Sequence, residues 1–200
     1  ETIDSVLNQT FKDFELIIVN DGSTDDTEKI IKEYMKKDKR IVYLKLSRNK
    51  GYENLHDVIN QGLTIAKGKY IARLDADDIC YPKRLEVQYN YLEKHKQIFL
   101  IGSSADVIDS KGKKIGEMIK KPWPPFVLKW TIGFNNPFIH SSIMFRNSKL
   151  RYPSYAEHYF FIRAVLNQKK LKNIRRKLIK YRINPNGMMA QHAQKKRKKL

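Results

Sequence analysis

Up to residue 121 the chain alternates short apolar runs with segments of helical spacing, and that rhythm restricts the fold to a sheet covered by helices. Residues 15–19, Glu-Leu-Ile-Ile-Val, are nearly all apolar and stop at Asn20-Asp21-Gly22, the pattern of a strand buried on both faces. Residues 24–37 then place Asp25, Asp26 and Glu28 early and lysines late, the charge order that suits a helix dipole. Residues 41–46 alternate as a half-buried strand does, residues 56–67 read as a helix stopped by Gly68, and residues 70–74 form the third strand. Pro82 opens a helix running to His95, with Leu85, Val87, Tyr89 and Leu92 assigned to its buried side. Residues 98–108 read as a strand that turns at 109–112 into 115–119. The class is α/β, a mostly parallel sheet flanked by helices. Beyond residue 121, Pro122, Pro124, Pro125 and Pro137 punctuate an irregular aromatic stretch. A helix over 156–168, a basic segment and a Lys-rich end follow.

In an open α/β sheet, ligands gather beyond the carboxyl ends of the strands. Asp21 lies there after the first strand, and Asp75, Asp77 and Asp78 lie there after the third. Three carboxylates within four residues repel one another, and a divalent cation relieves that repulsion. Magnesium and manganese prefer oxygen ligands and often use one or two carboxylates together with substrate phosphates. The spacing alone fits a second reading as well, in which Asp77 or Asp78 caps the helix that begins near Pro82.

Several stretches together resemble the family 2 glycosyltransferases, which have the GT-A (Rossmann-like) fold. They are residues 5–10 (SVLNQT), 15–25 (ELIIVNDGSTD), 74–78 (LDADD), 82–88 (PKRLEVQ), 139–146 (IHSSIMFR) and 181–186 (YRINPN). The resemblance covers nearly the whole chain in the correct order. It implies transfer of a sugar from a nucleotide-diphosphate donor, a UDP-sugar, to a hydroxyl of a glycan or lipid-linked acceptor, with inversion. Asp21 would contact the nucleotide base, Asp75 the ribose, and Asp77 an Mn²⁺ or Mg²⁺ ion. The family's Glu-Asp pair appears here as Glu157-His158, with Arg163 following, so His158 stands where the carboxylate base is expected. Neutral imidazole is a competent base near pH 7, and Glu157 is the alternative. The family also begins with a strand that this chain lacks, so residues 1–190 read as an N-terminally truncated domain and 191–200 as a basic tail. His158 and that strand leave a catalytically silent scaffold as a rival reading.

A formal net charge of +19 suits a polyanionic or phosphorylated partner or an anionic membrane. Eight Lys/Arg lie between 169 and 182, and residues 195–199 are Lys-Lys-Arg-Lys-Lys, a solvated face or a peripheral attachment to anionic lipid. Trp123, Phe126, Trp130 and Phe134 either line an acceptor site or belong to the core. Zinc-ligand spacing, a helix-turn-helix signature and an RNP-like aromatic run are all absent, so nucleic acid is not the expected partner. Cys80 is the only cysteine, which excludes an intramolecular disulfide and suits a reducing, cytoplasmic setting.

Overall fold

The computed structural model describes residues 1–120, 123–154 and 157–184, with Glu157 in its backbone alone. The 191–200 tail and the basic run at 195–199 lie outside the described residues. Helix α1 (Thr2–Leu7) precedes β1 (Leu16–Asn20), α2 (Thr27–Lys37) and β2 (Ile41–Lys45). Then come α3 (Leu55–Ile65), β3 (Tyr70–Ala72), β4 (Ile79–Cys80), α4 (Arg84–Lys94), β5 (Ile98–Ile108) and β6 (Lys114–Met118). Helix α5 (Pro125–Thr131), β7 (Met144–Arg146), α6 (Glu157–Leu166) and β8 (Lys170–Arg182) complete the chain. None of the described helices is long and apolar enough to cross a membrane.

The α/β class holds, with strands arranged in two groups. β1 and β2 pair in parallel, from Leu16 opposite Ile41 to Asn20 opposite Lys45. The larger sheet has the order β3-β7-β5-β8-β4, with β6 added on β5. Its longest ladder, β5 with β8, is also parallel, while the four shorter ones are antiparallel. The sheet is therefore mixed rather than uniformly parallel. Of β1 only Asn20 is buried; Leu16 to Val19 are half-buried, because among the described residues β2 is its single hydrogen-bonded neighbour.

Every residue of β5 is buried, including Ser103, Ser104 and Asp106. The basic segment after α6 is not a solvated face but strand β8, which sends Leu171, Ile174, Leu178 and Ile179 into the core. Its register slips between Ser103, opposite Ile174, and Ser104, opposite Lys177, so Arg175 and Arg176 bulge out exposed. Helix α4 also differs from expectation. Its buried face carries Arg84, Leu85, Gln88 and Leu92, and Val87 and Tyr89 are only half-buried. The two polar side chains turn inward because strand-end carbonyls need donors: Arg84 reaches the carbonyls of Arg73 and Ile143 (2.5 and 3.3 Å), and Gln88 that of Ser142 (2.8 Å). The main core is aromatic, joining Phe99, Phe138, Phe145, Tyr152, Phe160 and Phe161 around Leu100 and Leu171.

At Gly102 on β5 the neighbours close in. A Cβ there would lie 2.5 Å from Asn173 Oδ1 and 2.6 Å from Phe138 Cδ1, and Asn173 is itself tied to the Pro137 carbonyl at 2.9 Å. Gly102→Ala is expected to destabilise the fold by about 1–3 kcal/mol, read from the midpoint of urea unfolding. An unchanged midpoint would contradict this packing.

Candidate active site

The acidic turn begins where β3 ends at Ala72. The Asp78 amide donates to the Asp75 carbonyl (3.2 Å), closing a tight turn that brings three carboxylates together. The Asp75 amide donates to the Ser141 hydroxyl (2.9 Å), and the Asp75 carboxylate is paired with Arg73 at 2.6 Å. Burial works to raise the Asp75 pKa, but the Arg73 guanidinium, supported by His140 and the buried Arg84, holds it below the ordinary carboxylate range.

Asp77 is held differently. Its side chain is exposed, and among the described residues no side chain hydrogen-bonds to its carboxylate. The protein crowded around it pushes its pKa upward, and the charge of Asp75 adds to that push. Asp78 is fully buried, accepting the Arg182 amide at 2.8 Å. Burial raises its pKa to about 6, with repulsion from Asp75 and Asp77 adding, while Ser141 and the Arg182 amide oppose the rise. Neither Asp77 nor Asp78 caps α4: its N-cap is Lys83, and no side chain caps it. Asp78 instead fastens the acidic turn to the end of β8.

Arg182 clamps the same turn with its side chain. Its Nε donates to the Asp77 carbonyl (2.8 Å), one terminal nitrogen pairs with Glu1 (2.6 Å), and the other reaches the Ser110 carbonyl (3.0 Å). From the opposite side, the Thr2 hydroxyl donates to the Ala76 carbonyl at 2.8 Å. Asp77 thereby lines a cavity of 370 Å³ together with Thr2, Ile30, Tyr34, Ala76 and Arg182. A second depression of 470 Å³ runs along α2 and holds none of the expected site residues.

The other expected residues are spread wider. Asp21 follows β1 in the two-stranded sheet, where its carboxylate accepts the Lys50 amide at 2.9 Å. The adjoining Gly22 has φ 71° and lies so close to the loop after β2 that a Cβ would sit 2.7 Å from the Asn49 nitrogen. Among the described residues, no hydrogen bond or ion pair joins Asp21 to Asp75 or Asp77. His158 sits in the first turn of α6, its Nδ1 enclosed and without a hydrogen-bond partner among the described residues. The Glu157 side chain lies outside the described residues.

A line of contacts connects α6 to the acidic turn. Tyr152 stacks on Phe160 at 4.1 Å and meets His140 Nε2 at 2.8 Å, and the charge of His140 reaches Asp75. Arg73, His140, Ser141 and Arg182 were not singled out by sequence reasoning. The only signal for the last three was their place in the family-like stretches 139–146 and 181–186. Of the four aromatics, Trp123 packs partly on the core, while Phe126, Trp130 and Phe134 are exposed; none lines the cavity beside Asp77.

Among the described residues no group of three or more His, Cys, Asp or Glu is placed to hold a metal by itself. The turn fits a cation that completes its shell with oxygens from a substrate: the donors are hard carboxylate oxygens, and Asp77 is uncommitted and destabilised as an anion.

The family model for glycosyl transferase family 2 matches residues 1–192, and the chain belongs to that family. An uncharacterised glycosyltransferase of Methanocaldococcus jannaschii is 40% identical over 191 residues, spanning 92% of this chain and 65% of the relative. The O-antigen biosynthesis glycosyltransferase WbnJ of Escherichia coli is 36% identical over 146 residues, spanning 72% of this chain and 55% of WbnJ. The chain thus spans less than two-thirds of the length of either relative. The crystal structure of S. aureus TarS 1–349 in complex with UDP superposes with a TM-score of 0.71 at 19% identity, over 92% of this chain and 56% of TarS 1–349. That likeness establishes the GT-A fold.

The electrostatics of Asp78 give a test by pH. Folded, Asp78 keeps its proton up to about pH 6; unfolded, only to its ordinary 3.8. Its stabilising contribution is complete below 3.8 and is lost as pH rises through 6. Asp78→Asn keeps the acceptor for the Arg182 amide and removes the charge. The variant is expected to gain on the unmutated chain by up to about 3 kcal/mol between pH 4 and 7.5, measured by denaturant unfolding at each pH. A difference that does not vary with pH would refute the account.

Proposed function

We propose that this chain is the donor-binding part of a glycosyltransferase that moves a sugar from a UDP-sugar to a hydroxyl of a glycan or lipid-linked saccharide, with inversion and with Mn²⁺ or Mg²⁺. The observation that carries the reading is the acidic turn, where Asp75 is kept ionised by Arg73 while Asp77 faces a cavity with its carboxylate uncommitted. The UDP bound to TarS and the O-antigen role in the name of WbnJ support the donor and acceptor classes.

In this proposal Asp77 holds the cation, Asp75 orients the ribose and Asp21 contacts the base. A bound cation supplies charge neutralisation for the departing diphosphate. The acceptor oxygen attacks the anomeric carbon as the bond to the diphosphate breaks, and the electron pair leaves with UDP. Attack from the face opposite the leaving group inverts that carbon. His158 takes the proton of the acceptor hydroxyl, as the imidazole placed where the family carries its carboxylate.

Calorimetry with UDP tests the donor site. Asp77→Asn is expected to abolish the gain in UDP affinity that Mn²⁺ confers, about ten-fold or more, without lowering affinity in its absence. Asp21→Ala should weaken UDP with and without Mn²⁺ alike. Undiminished Mn²⁺-dependent affinity in Asp77→Asn would overturn the assignment.

The base is tested by turnover against a panel of UDP-sugars. His158→Ala should lower the transfer rate by about 10²–10⁴-fold with UDP affinity unchanged. Full activity in His158→Ala combined with loss in Glu157→Gln would move the role to Glu157. A chain that binds UDP but transfers no sugar would instead be a scaffold.

A further inference from the structure

The net charge of the chain resides in one part of it. Residues 1–117 carry 20 Lys+Arg against 20 Asp+Glu, whereas residues 118–200 carry 20 Lys+Arg and a single acid, Glu157. Helix α5 belongs to that second part. It buries Leu128, and Ile132 just beyond its end, in the core, and it packs on β8. It turns Phe126, Trp130 and Phe134 outward, where they are 68%, 74% and 94% exposed. Hydrogen bonds from Ile132 to Leu128 and from Asn135 to Thr131 continue the helical turns past Thr131, so four-residue spacing sets the three rings in one row. Exposed cations accompany them: Lys129 on α5, and Lys170, Arg175 and Arg176 on β8.

We infer that this aromatic row is an insertion surface for an anionic lipid bilayer, independent of the catalytic proposal. Three large rings standing almost clear of the protein leave a patch of apolar surface in water that soluble chains seldom keep without a use. A sugar platform would need polar groups to meet hydroxyls in a concave site. This row projects from a convex helix, has no acid in sequence from 118 to 156, and stands outside the cavity beside Asp77. A bilayer interface matches each feature. Trp and Phe settle at the boundary between headgroups and acyl chains, and Lys and Arg lie against the lipid phosphates. Neither part suffices alone: a few rings give marginal partitioning, and screened charge gives weak attraction, so attachment takes both. This also corrects the sequence reading of residues 169–182, whose hydrophobic side chains belong to the core and whose cations assist from beside α5.

The full chain is tested with vesicles of phosphatidylcholine, alone or with about one-third phosphatidylglycerol. Replacing Phe126, Trp130 and Phe134 together by Ser changes no charge and no buried contact. It is expected to lower partitioning onto the anionic vesicles by about ten-fold or more. The chain has two tryptophans, so Trp123→Phe leaves Trp130 as the sole indole reporter. Its emission should shift to the blue with anionic vesicles, stay unmoved with neutral ones, and return as salt is raised. The inference is overturned if the triple variant sediments with vesicles as the unmutated chain does, or if Trp130 stays water-exposed on bound protein. It is equally overturned if Trp130 responds to maltohexaose and not to vesicles, or if the row instead mediates a concentration-dependent dimer that the triple variant abolishes.

Discussion

Strand β8 must bury four apolar side chains and a strand's worth of backbone donors and acceptors while carrying seven cations, and its parallel ladder with β5 is what reconciles these demands. β5 offers a partner buried along its whole length, so main-chain groups of β8 are satisfied without water. The bulge at Arg175 and Arg176 then leaves both of these adjacent charges exposed. The remaining cations are handled by a compact network. Asp106 on β5 is paired with Lys114 at 2.8 Å and Lys177 at 3.0 Å, and both lysines also meet Glu117. Burial works against ionised Asp106, but these lysines, together with the Tyr81 hydroxyl, hold its pKa well below the ordinary carboxylate range. Because the lysines are partly exposed, the network contributes register more than stability.

The acidic turn depends on the same ladder. β8 ends at Arg182, whose amide meets Asp78 and whose side chain grips the Asp77 carbonyl. Had β8 paired one residue out of register, these contacts would fall to the wrong face. The turn is held from behind by Ser141 and Arg84, which belong to two further segments of the chain. The short geometry of a turn is thus fixed by parts of the sequence up to 105 residues away.

Much of this was legible from residue order, and the failures share a physical cause. β1, β2, β5 and α2 announce themselves in their apolar runs and spacing, although β1 is half-buried where its run suggests burial on both faces. β8 did not, since its bulge breaks the period of two just where lysines and arginines already mask the apolar positions. β4 and β7, at two and three residues, are too short to carry a period at all. Arg84 and Gln88 were not among the residues assigned to the buried side of α4, since polarity usually means exposure; here strand-end carbonyls reverse that rule. The carboxylates of the site were visible as a cluster, but their partners Arg73, Ser141 and Arg182 were not, because pairing across the fold leaves no trace in spacing.

The two acids of the Asp75-Ala76-Asp77 stretch look equivalent in sequence, and the fold makes them unlike. Asp75 has its counter-charge within the protein: Arg73 is in contact, and Arg84 and His140 stand behind it. Asp77 has a carbonyl fixed by Arg182 and a carboxylate in no ion pair among the described residues, raised in pKa by its surroundings and by Asp75 against the opposing pull of its own amide, Arg182 and Arg73. An additional positive charge placed at this turn therefore gains little at Asp75 and most at Asp77. Neutralising both acids internally would have stabilised the fold, since like charges in one turn oppose folding. The turn instead keeps one anion unpaired at the edge of a cavity. That residual repulsion is the feature of the fold that a cationic ligand can relieve.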